Sequence, residues 1–122
     1  MKKSVAKAWV KALRSGRFKQ TTGMLRNSKR SSDYDNSREC GHCCLGVLCA
    51  ISPFKNNYTR LAEADNSYPH ERIYADWAQM KARNPSVTLP DGSEITLASL
   101  NDDRRFSFEQ IADIIEQNAD RL

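Results

Sequence analysis

The sequence contains no apolar run as long as the roughly 18–20 residues that a membrane-spanning helix requires. Its N-terminus also lacks an apolar stretch followed by a small-residue cleavage site, so we expect no secretory signal. Aromatic residues amount to only 8%, and just Trp9 and Phe18 lie among the N-terminal cations, too few to stack the bases of single-stranded nucleic acid. With 122 residues the chain has no room for a separate cofactor lobe, and we expect residues 1–122 to form a single domain.

Acidic side chains are missing from the first 32 residues, and the first one is Asp33. Residues 1–30 contain ten Lys and Arg side chains, whereas the rest of the chain has nine cations and 15 acids, a net charge of −6. This asymmetry predicts a basic surface that faces an anionic small molecule, an acidic protein or nucleic acid. The alternative is that the basic segment packs beside the acidic C-terminal segment within the domain, and the sequence leaves both open.

All four cysteines lie within ten residues, at Cys40, Cys43, Cys44 and Cys49. Since no secretory signal is expected, we expect reduced thiols rather than disulfides. Cys40 and Cys43 have the C-x-x-C spacing of half a zinc site, and His42 and Cys44 are the nearest further ligands, but no second half-site follows. Because reduced cysteine is often simply buried, we favour core thiols and no cofactor over a structural zinc.

A cysteine nucleophile is a second chemical possibility. Cys43 lies at the N-terminus of a predicted helix, whose dipole would lower the pKa of its thiol or of the neighbouring Cys44. Gln20, Cys43 and His70 follow the chain order of oxyanion donor, nucleophile and base in papain-like hydrolases. No third residue that would orient the base is evident, so we favour a protein without enzymatic activity. A cysteine-dependent hydrolase or transferase is the alternative.

Hydrophobic periodicity and capping signals predict a mainly helical chain. The predicted helices are residues 2–14, residues 43–50, a helix starting near Pro69, a single turn at 97–101, and residues 107–122 with a Ser107–Gln110 capping box. Residues 87–96 contain a proline-aspartate-glycine turn and predict one β-hairpin. Residues 27–39 are polar and lack core side chains, which predicts a mobile loop. The expected fold is a small single α+β domain, mainly helical with one β-hairpin.

The apolar faces of these elements predict the core. On the first helix, Val5, Trp9 and Ala12 form one stripe, flanked by Ala8 and Leu13. The predicted core consists of Trp9, Leu13, Leu45, Val47, Leu48, Trp77, Ile95, Leu97, Leu100, Ile111, Ile114 and Ile115.

The segment from residue 14 to residue 23 mixes cations with small and hydroxyl residues, a composition that can hold a phosphate. It is not a P-loop, because the G-x-x-x-x-G-K-[ST] pattern is absent. The residues expected to bind the ligand are Arg14, Arg17, Lys19 and Gln20 for the anion, and Asn101 and Asp102 for a sugar or a base. A plain basic turn is the alternative.

Several short sequence blocks, spread over nearly the whole chain, are similar to those of a known group of proteins. The most distinctive is Cys43-Cys44-Leu45-Gly46-Val47-Leu48-Cys49, and a second runs from Ser107 to Glu116. The shorter ones are Trp9, Leu13–Gly16, Gln20, Trp77, Asn84-Pro85 and Leu100–Asp102. Together they resemble a group of small phage and prophage proteins, mostly hypothetical, from which no activity carries over. Since the resemblance includes Trp9, it implies that the first helix belongs to the domain rather than to a cleaved transit peptide. Cys40 and His42 lie outside it.

The resemblance implies a protein that acts in the bacterial host cytoplasm during phage infection. Small accessory phage proteins commonly bind and inactivate a host component, an argument by association. The expected function is therefore counter-defence, through binding of an anionic ligand such as a nucleotide-type immune signal, or of a host factor. Nucleic acid bound by the basic N-terminal segment and a homo-oligomer are left open, and no membrane span is expected. A cysteine-dependent enzyme and a small zinc-stabilised interaction protein are the alternatives.

Overall fold

The computed structural model of the protein describes residues 1–27, 41–54 and 68–122. Helix α1, Lys3–Arg14, confirms the first predicted helix. It ends just before Gly16, whose φ of +74° suits glycine and stops the helix. Helix α2, Cys44–Ile51, confirms the second, with the Cys43 sulfur capping its N-terminus by accepting from the Gly46 N–H. Six of its eight residues are buried, which fits a central position in the core.

A three-stranded sheet lies beside these helices, formed by β1 (Lys19–Gln20), β2 (Arg26–Asn27) and β3 (Gly41–His42). β3 is central, and it pairs with β1 in parallel and with β2 in antiparallel orientation. This sheet is absent from the sequence expectations, because strands of two residues are too short to show an alternating pattern. Residue 27 of the predicted mobile loop ends β2, and residues 28–39 lie outside the described part of the chain.

The predicted hairpin is confirmed as β4 (Ser86–Thr88) and β5 (Glu94–Thr96), paired antiparallel with Val87 opposite Ile95. The predicted turn after it is also confirmed as α4, Leu97–Asp102, which Thr96 caps. The helix expected to start near Pro69, with Ile73, Trp77 and Met80 on its inner face, is shorter than predicted. Only a single π-helical turn, α3 (Arg72–Trp77), is formed, and Gln79 with a φ of +56° follows it.

Helix α5, Phe108–Asn118, begins at the predicted capping box, in which Ser107 and Gln110 bond each other's backbone N–H groups. A single 3₁₀ turn, Ala119–Arg121, follows. α5 packs along α1, and the two helices run antiparallel, because Lys3 in the first turn of α1 shares a groove with Asp120 beyond the end of α5, whereas Arg14 in the last turn reaches back to Asp113. Their packing exposes Ala8, which was expected beside the buried stripe.

One continuous cluster of buried side chains joins the helices and the hairpin. Ten of the twelve predicted core residues are buried, but Trp77 and Ile95 only pack against the edge of the cluster. Leu25 and Leu122 are completely buried and were not predicted. The α+β class, mainly helical with a hairpin, is therefore confirmed. Within the described ranges, no helix is long and apolar enough to cross a membrane.

Candidate functional site

Arg17 and Lys19 lie in the segment that leaves α1 and enters β1. The Ser15 hydroxyl donates to the Ala12 carbonyl (2.6 Å) and accepts from the Arg17 N–H (3.2 Å), which fixes the path of the backbone. The Arg17 guanidinium lies 5.7 Å from the centroid of the Phe18 ring, a cation–π distance. Both Arg17 and Lys19 are exposed, and no carboxylate of the described residues forms an ion pair with either. Their charges therefore face solvent.

Gln20 and Asn101 connect β1 to the rest of the molecule. The Gln20 amide nitrogen donates to Asn101 Oδ1 (3.0 Å) and to the Phe106 carbonyl (2.7 Å). Asn101 Oδ1 also accepts from the Cys44 N–H (3.2 Å) at the start of α2. Asn101 Nδ2 donates to the Thr21 carbonyl (2.8 Å) and to Asp102 Oδ1 (2.8 Å). We call this group the Asn101 network.

The Asn101 network brings three predicted ligand-binding residues together, but it uses Asn101 fully. That side chain is completely buried, and its oxygen accepts two hydrogen bonds while its amide donates two. No polar atom of Asn101 is left for a sugar or a base. Its observed contacts instead hold Gln20, and with it the strand that carries Lys19. Asp102 is half-buried, and its Oδ1 is taken up by the hydrogen bond from Asn101.

Arg14, unlike Arg17 and Lys19, is paired with carboxylates among the described residues. Its guanidinium lies 2.6 Å from Asp113 Oδ1 and 3.2 Å from Glu116 Oε2. The hydrogen bonds that the Arg14 guanidinium donates, first to Glu116 and then to Asp113, raise the pKa of Arg14 above its ordinary value. An external anion would have to compete with two carboxylates here. At this residue, the basic N-terminal segment packs beside the acidic C-terminal one, as the internal alternative expected.

His42 occupies the centre of the sheet, opposite both Gln20 and Arg26. It is 9% exposed, and the Phe18 ring meets it edge-on at 5.3 Å between centroids. Burial, together with the nearby charge of Arg26, lowers the pKa of His42 to about 4. The imidazole is therefore neutral at neutral pH and adds no positive charge to the neighbouring basic surface.

Cys43, Cys44 and Cys49 are free, buried thiols, as expected of core cysteines. Burial raises the pKa of Cys43 to about 11, and it raises the pKa of Cys44 and Cys49 as well. A cysteine nucleophile needs the opposite shift, because the thiolate is the reactive form. The Cys44 thiol donates to the Leu97 carbonyl at 3.6 Å, so it joins α2 to the start of α4 inside the core.

His70, the expected base, lies at the start of α3, where its Nδ1 accepts from the Arg72 N–H (3.2 Å). In the described residues, no hydrogen bond joins it to Cys43 or Gln20. Gln20, Cys43 and His70 therefore each bond to other groups: Gln20 to Asn101 and Phe106, Cys43 to Gly46, and His70 to Arg72.

The zinc hypothesis involves Cys40, which lies outside the described residues, together with His42, Cys43 and Cys44. Across residues 1–27, 41–54 and 68–122, no three His, Cys, Asp or Glu side chains form a group that could hold a metal ion.

Sequence reasoning missed the contributions of Thr21 and Phe106, whose backbone carbonyls complete the Asn101 network. No signal could have found them, because a backbone oxygen is common to every residue. Arg26 was also missed as a neighbour of this surface. It pairs with His42 across the sheet, and that sheet has no sequence signature.

Comparison with known proteins gives one family. The family described as "Domain of unknown function (DUF8296)" matches residues 1–119. No curated protein and no solved structure matches the chain. Since the match covers almost all of the 122 residues, the chain belongs to this family, and α1 through α5 all lie within the family's domain.

Proposed function

We propose that this member of the family binds a small anionic ligand without catalysis, at the exposed surface formed by Arg17 and Lys19. The observation that carries the proposal is the contrast between these two cations and Arg14. Arg14 is neutralised by Asp113 and Glu116, whereas neither Arg17 nor Lys19 has a carboxylate partner in the described residues. We call this surface the basic edge.

The basic edge is held by rigid neighbours, which favours binding. Ser15 fixes the backbone before Arg17, and the Asn101 network anchors the strand just after Lys19. A ligand that meets cations on such a fixed backbone loses little entropy in ordering them. Arg17 supplies a planar guanidinium, which binds phosphate oxygens in pairs, and Lys19 supplies a point charge beside it.

A phosphate-bearing small molecule fits this chemistry better than a long nucleic acid. The exposed lysines of α1 would have to extend the contact for a polymer, yet Glu116 and Asp120 line the groove beside Lys3 and Lys7. Those carboxylates repel a phosphate backbone. Of the two residues expected to contact a sugar or a base, Asn101 is completely buried and Asp102 is half-buried.

Counter-defence is the biological role that we propose for this binding. It is supported by the resemblance of the Cys43–Cys49 block and the Ser107–Glu116 block to small phage proteins, and by no measured activity. In this proposal the anion is a nucleotide-type immune signal of the bacterial host, which the protein removes from solution. Binding of a host protein by the same basic edge is the alternative.

Titration of the protein with ATP, a cyclic dinucleotide and inorganic phosphate tests the proposal by calorimetry and by NMR amide shifts. We expect at least one nucleotide to bind and to shift amides near residues 15–21. The double variant Arg17→Glu/Lys19→Glu should weaken that binding at least tenfold while keeping the native circular dichroism spectrum, because both charges meet the ligand directly.

Lys2→Glu/Lys81→Glu is the matched control. It makes the same change in net charge at the opposite end of α1, where the Lys2 N–H bonds the Ala78 carbonyl. We expect the control to bind within twofold of the parent. Equal losses in both double variants would show non-specific charge attraction, and no binding of any probe would contradict a small-anion ligand.

A further inference from the structure

One exposed surface strip has opposite charges along its two sides. On α1, Lys3, Lys7 and Lys11 recur every four residues and so form a column with about 6 Å between successive residues. Glu116 on α5 and Asp120 in the following 3₁₀ turn form the other side. A shallow groove of about 520 Å³ runs between them over small apolar side chains. We call this surface the α1–α5 strip.

The order of charges along the α1–α5 strip follows from the antiparallel helices. Lys3, in the first turn of α1, lines the same groove as Asp120, which lies beyond the end of α5. Lys7 and Lys11 lie further along, where Glu116 contributes to the groove. Lys3 thus lies opposite Asp120 and Lys7 opposite Glu116, whereas Lys11 lies further along, beside the Arg14 that bonds Glu116.

We propose that the α1–α5 strip binds a second copy of this chain, forming a dimer with a twofold axis parallel to the helices. This axis places the α1 side of one copy against the α5 side of the other. Residues at the same height along the helices then face each other. Lys3 of one copy then faces Asp120 of the other, twice in each dimer, and Lys7 faces Glu116, which also bonds Arg14 of its own chain. An axis across the helices would instead place α1 on α1 and oppose like charges.

A second copy matches this surface better than other partners do. Nucleic acid, an anionic membrane or an acidic peptide would be attracted by the lysine column and repelled by the parallel acidic one. A partner must present both columns in exchanged order, and a symmetric copy does so without further requirement. The groove floor contributes small residues, Ala6, Val10 and Ala119, which let the two helix pairs approach closely.

The expected dimer is weak and sensitive to salt. A 12-residue helix is about 18 Å long, so two helices offer a smaller face than the roughly 800 Å² per partner of stable complexes. Much of the attraction comes from exposed charges, which ions screen beyond about 10 Å at 0.1 M salt. Dimerisation should therefore need micromolar or higher protein concentrations and decline as sodium chloride is added.

Charge reversal and its rescue by mixing test the dimer. Lys3→Glu places a carboxylate opposite Asp120, and Asp120→Lys places an ammonium group opposite Lys3, so each variant alone repels its own copy. An equimolar mixture can form a heterodimer in which both facing pairs again combine a positive and a negative charge. By sedimentation velocity over about 1 µM to 1 mM protein, we expect each variant to raise the dimer Kd at least tenfold, and the mixture to return it within about threefold of the parent.

Arg104→Glu, which reverses an exposed cation away from the strip, is the control and should leave the Kd unchanged. Circular dichroism melting confirms that every variant folds. A parent that stays monomeric at 1 mM, or a mixture that dimerises no better than either variant, would overturn the proposal. Neither result depends on the basic edge, since Arg17 and Lys19 stay unchanged in all these proteins.

Discussion

Gly46 marks the closest approach between α2 and the chain that enters β2. A Cβ atom built at this position would overlap the carbonyl oxygen of Leu25, which is backbone and cannot rotate away. Gly46→Ala should therefore force α2 outward and reduce the free energy of unfolding by about 3 kcal/mol, the upper part of the range for overpacked cores. Urea denaturation followed by circular dichroism measures the loss.

Gly16→Ala provides the matched comparison for Gly46→Ala. Gly16 has open space around its Cβ position, and only its φ of +74° disfavours alanine. We expect it to lose about 1 kcal/mol, the usual strain of a left-handed residue. If Gly46→Ala were the milder of the two, the close contact of α2 with Leu25 would be disproved.

Asn101 should be the most important polar side chain for stability. Asn101→Ala removes the partners of the buried Cys44 N–H and of the Thr21 carbonyl, and we expect a loss of about 2–3 kcal/mol in the free energy of unfolding. Gln20→Ala should cost less, because Gln20 is only half-buried and Asn101 keeps its other bonds. Chemical denaturation of both variants compares them, and equal losses would contradict a central role for Asn101.

Residue type alone marked Gln20 and Asn101 as important, but it did not show that the two side chains contact each other. Polar side chains between apolar neighbours attract a functional interpretation, because sequence does not show what lies across the fold. Here each is the other's partner, 81 residues apart along the chain. The same holds for Arg14. Its partners Asp113 and Glu116 belong to a helix that the sequence predicts, but the sequence does not show that this helix lies beside α1.

At the scale of elements, α1 is attached by Trp9 rather than by its ion pairs. The Trp9 ring is completely buried, and its indole N–H donates to the Cys44 carbonyl at 2.9 Å. Trp9→Ala should lower the free energy of unfolding by about 3–5 kcal/mol. Arg14→Ala should lose only a small fraction of that, because exposed ion pairs contribute little. Urea midpoints of the two variants measure both, and similar losses would show that the ion pairs hold the helix.

The elements that sequence predicts best are those with both periodicity and a cap. α5 has the Ser107–Gln110 box, α4 has Thr96, and the hairpin has its glycine turn, and all three form where expected. The three-stranded sheet could not be predicted, since Gly41 and His42 pair with Lys19 and Gln20 across more than 20 residues. α3 fell short of prediction, because Gln79 turns the chain after Trp77.

The whole molecule should be most stable between mildly acidic and mildly alkaline pH. The pKa of His42 is lowered to about 4, so the unfolded chain takes up a proton below pH 6.5 before the folded chain does. Stability from this residue is complete above pH 6.5 and is lost as the pH falls towards 4. The pKa of Cys43 is raised to about 11, so its contribution is complete below pH 9 and is lost as the pH rises towards 11.

His42→Gln isolates the acidic limb. Between pH 6 and pH 5 the parent should lose up to about 1.4 kcal/mol per pH unit through His42, and the variant should lack this part of the slope. Urea unfolding at closely spaced pH values measures the difference. Parallel slopes for parent and variant would show that His42 does not control the acidic limb.

The contact of α1 with α5 also has a consequence for synthesis on the ribosome. Arg14 and Asp113 are 99 residues apart, so α1 emerges long before its partner helix exists. At about 5–20 residues per second, that delay is roughly 5–20 s. During this time the face of α1 that packs on α5, which includes Ala6 and Val10, has no partner helix to cover it, and exposed apolar surface of this kind is what chaperones bind. The translation speed between these two helices therefore sets how long the newborn chain is exposed to aggregation.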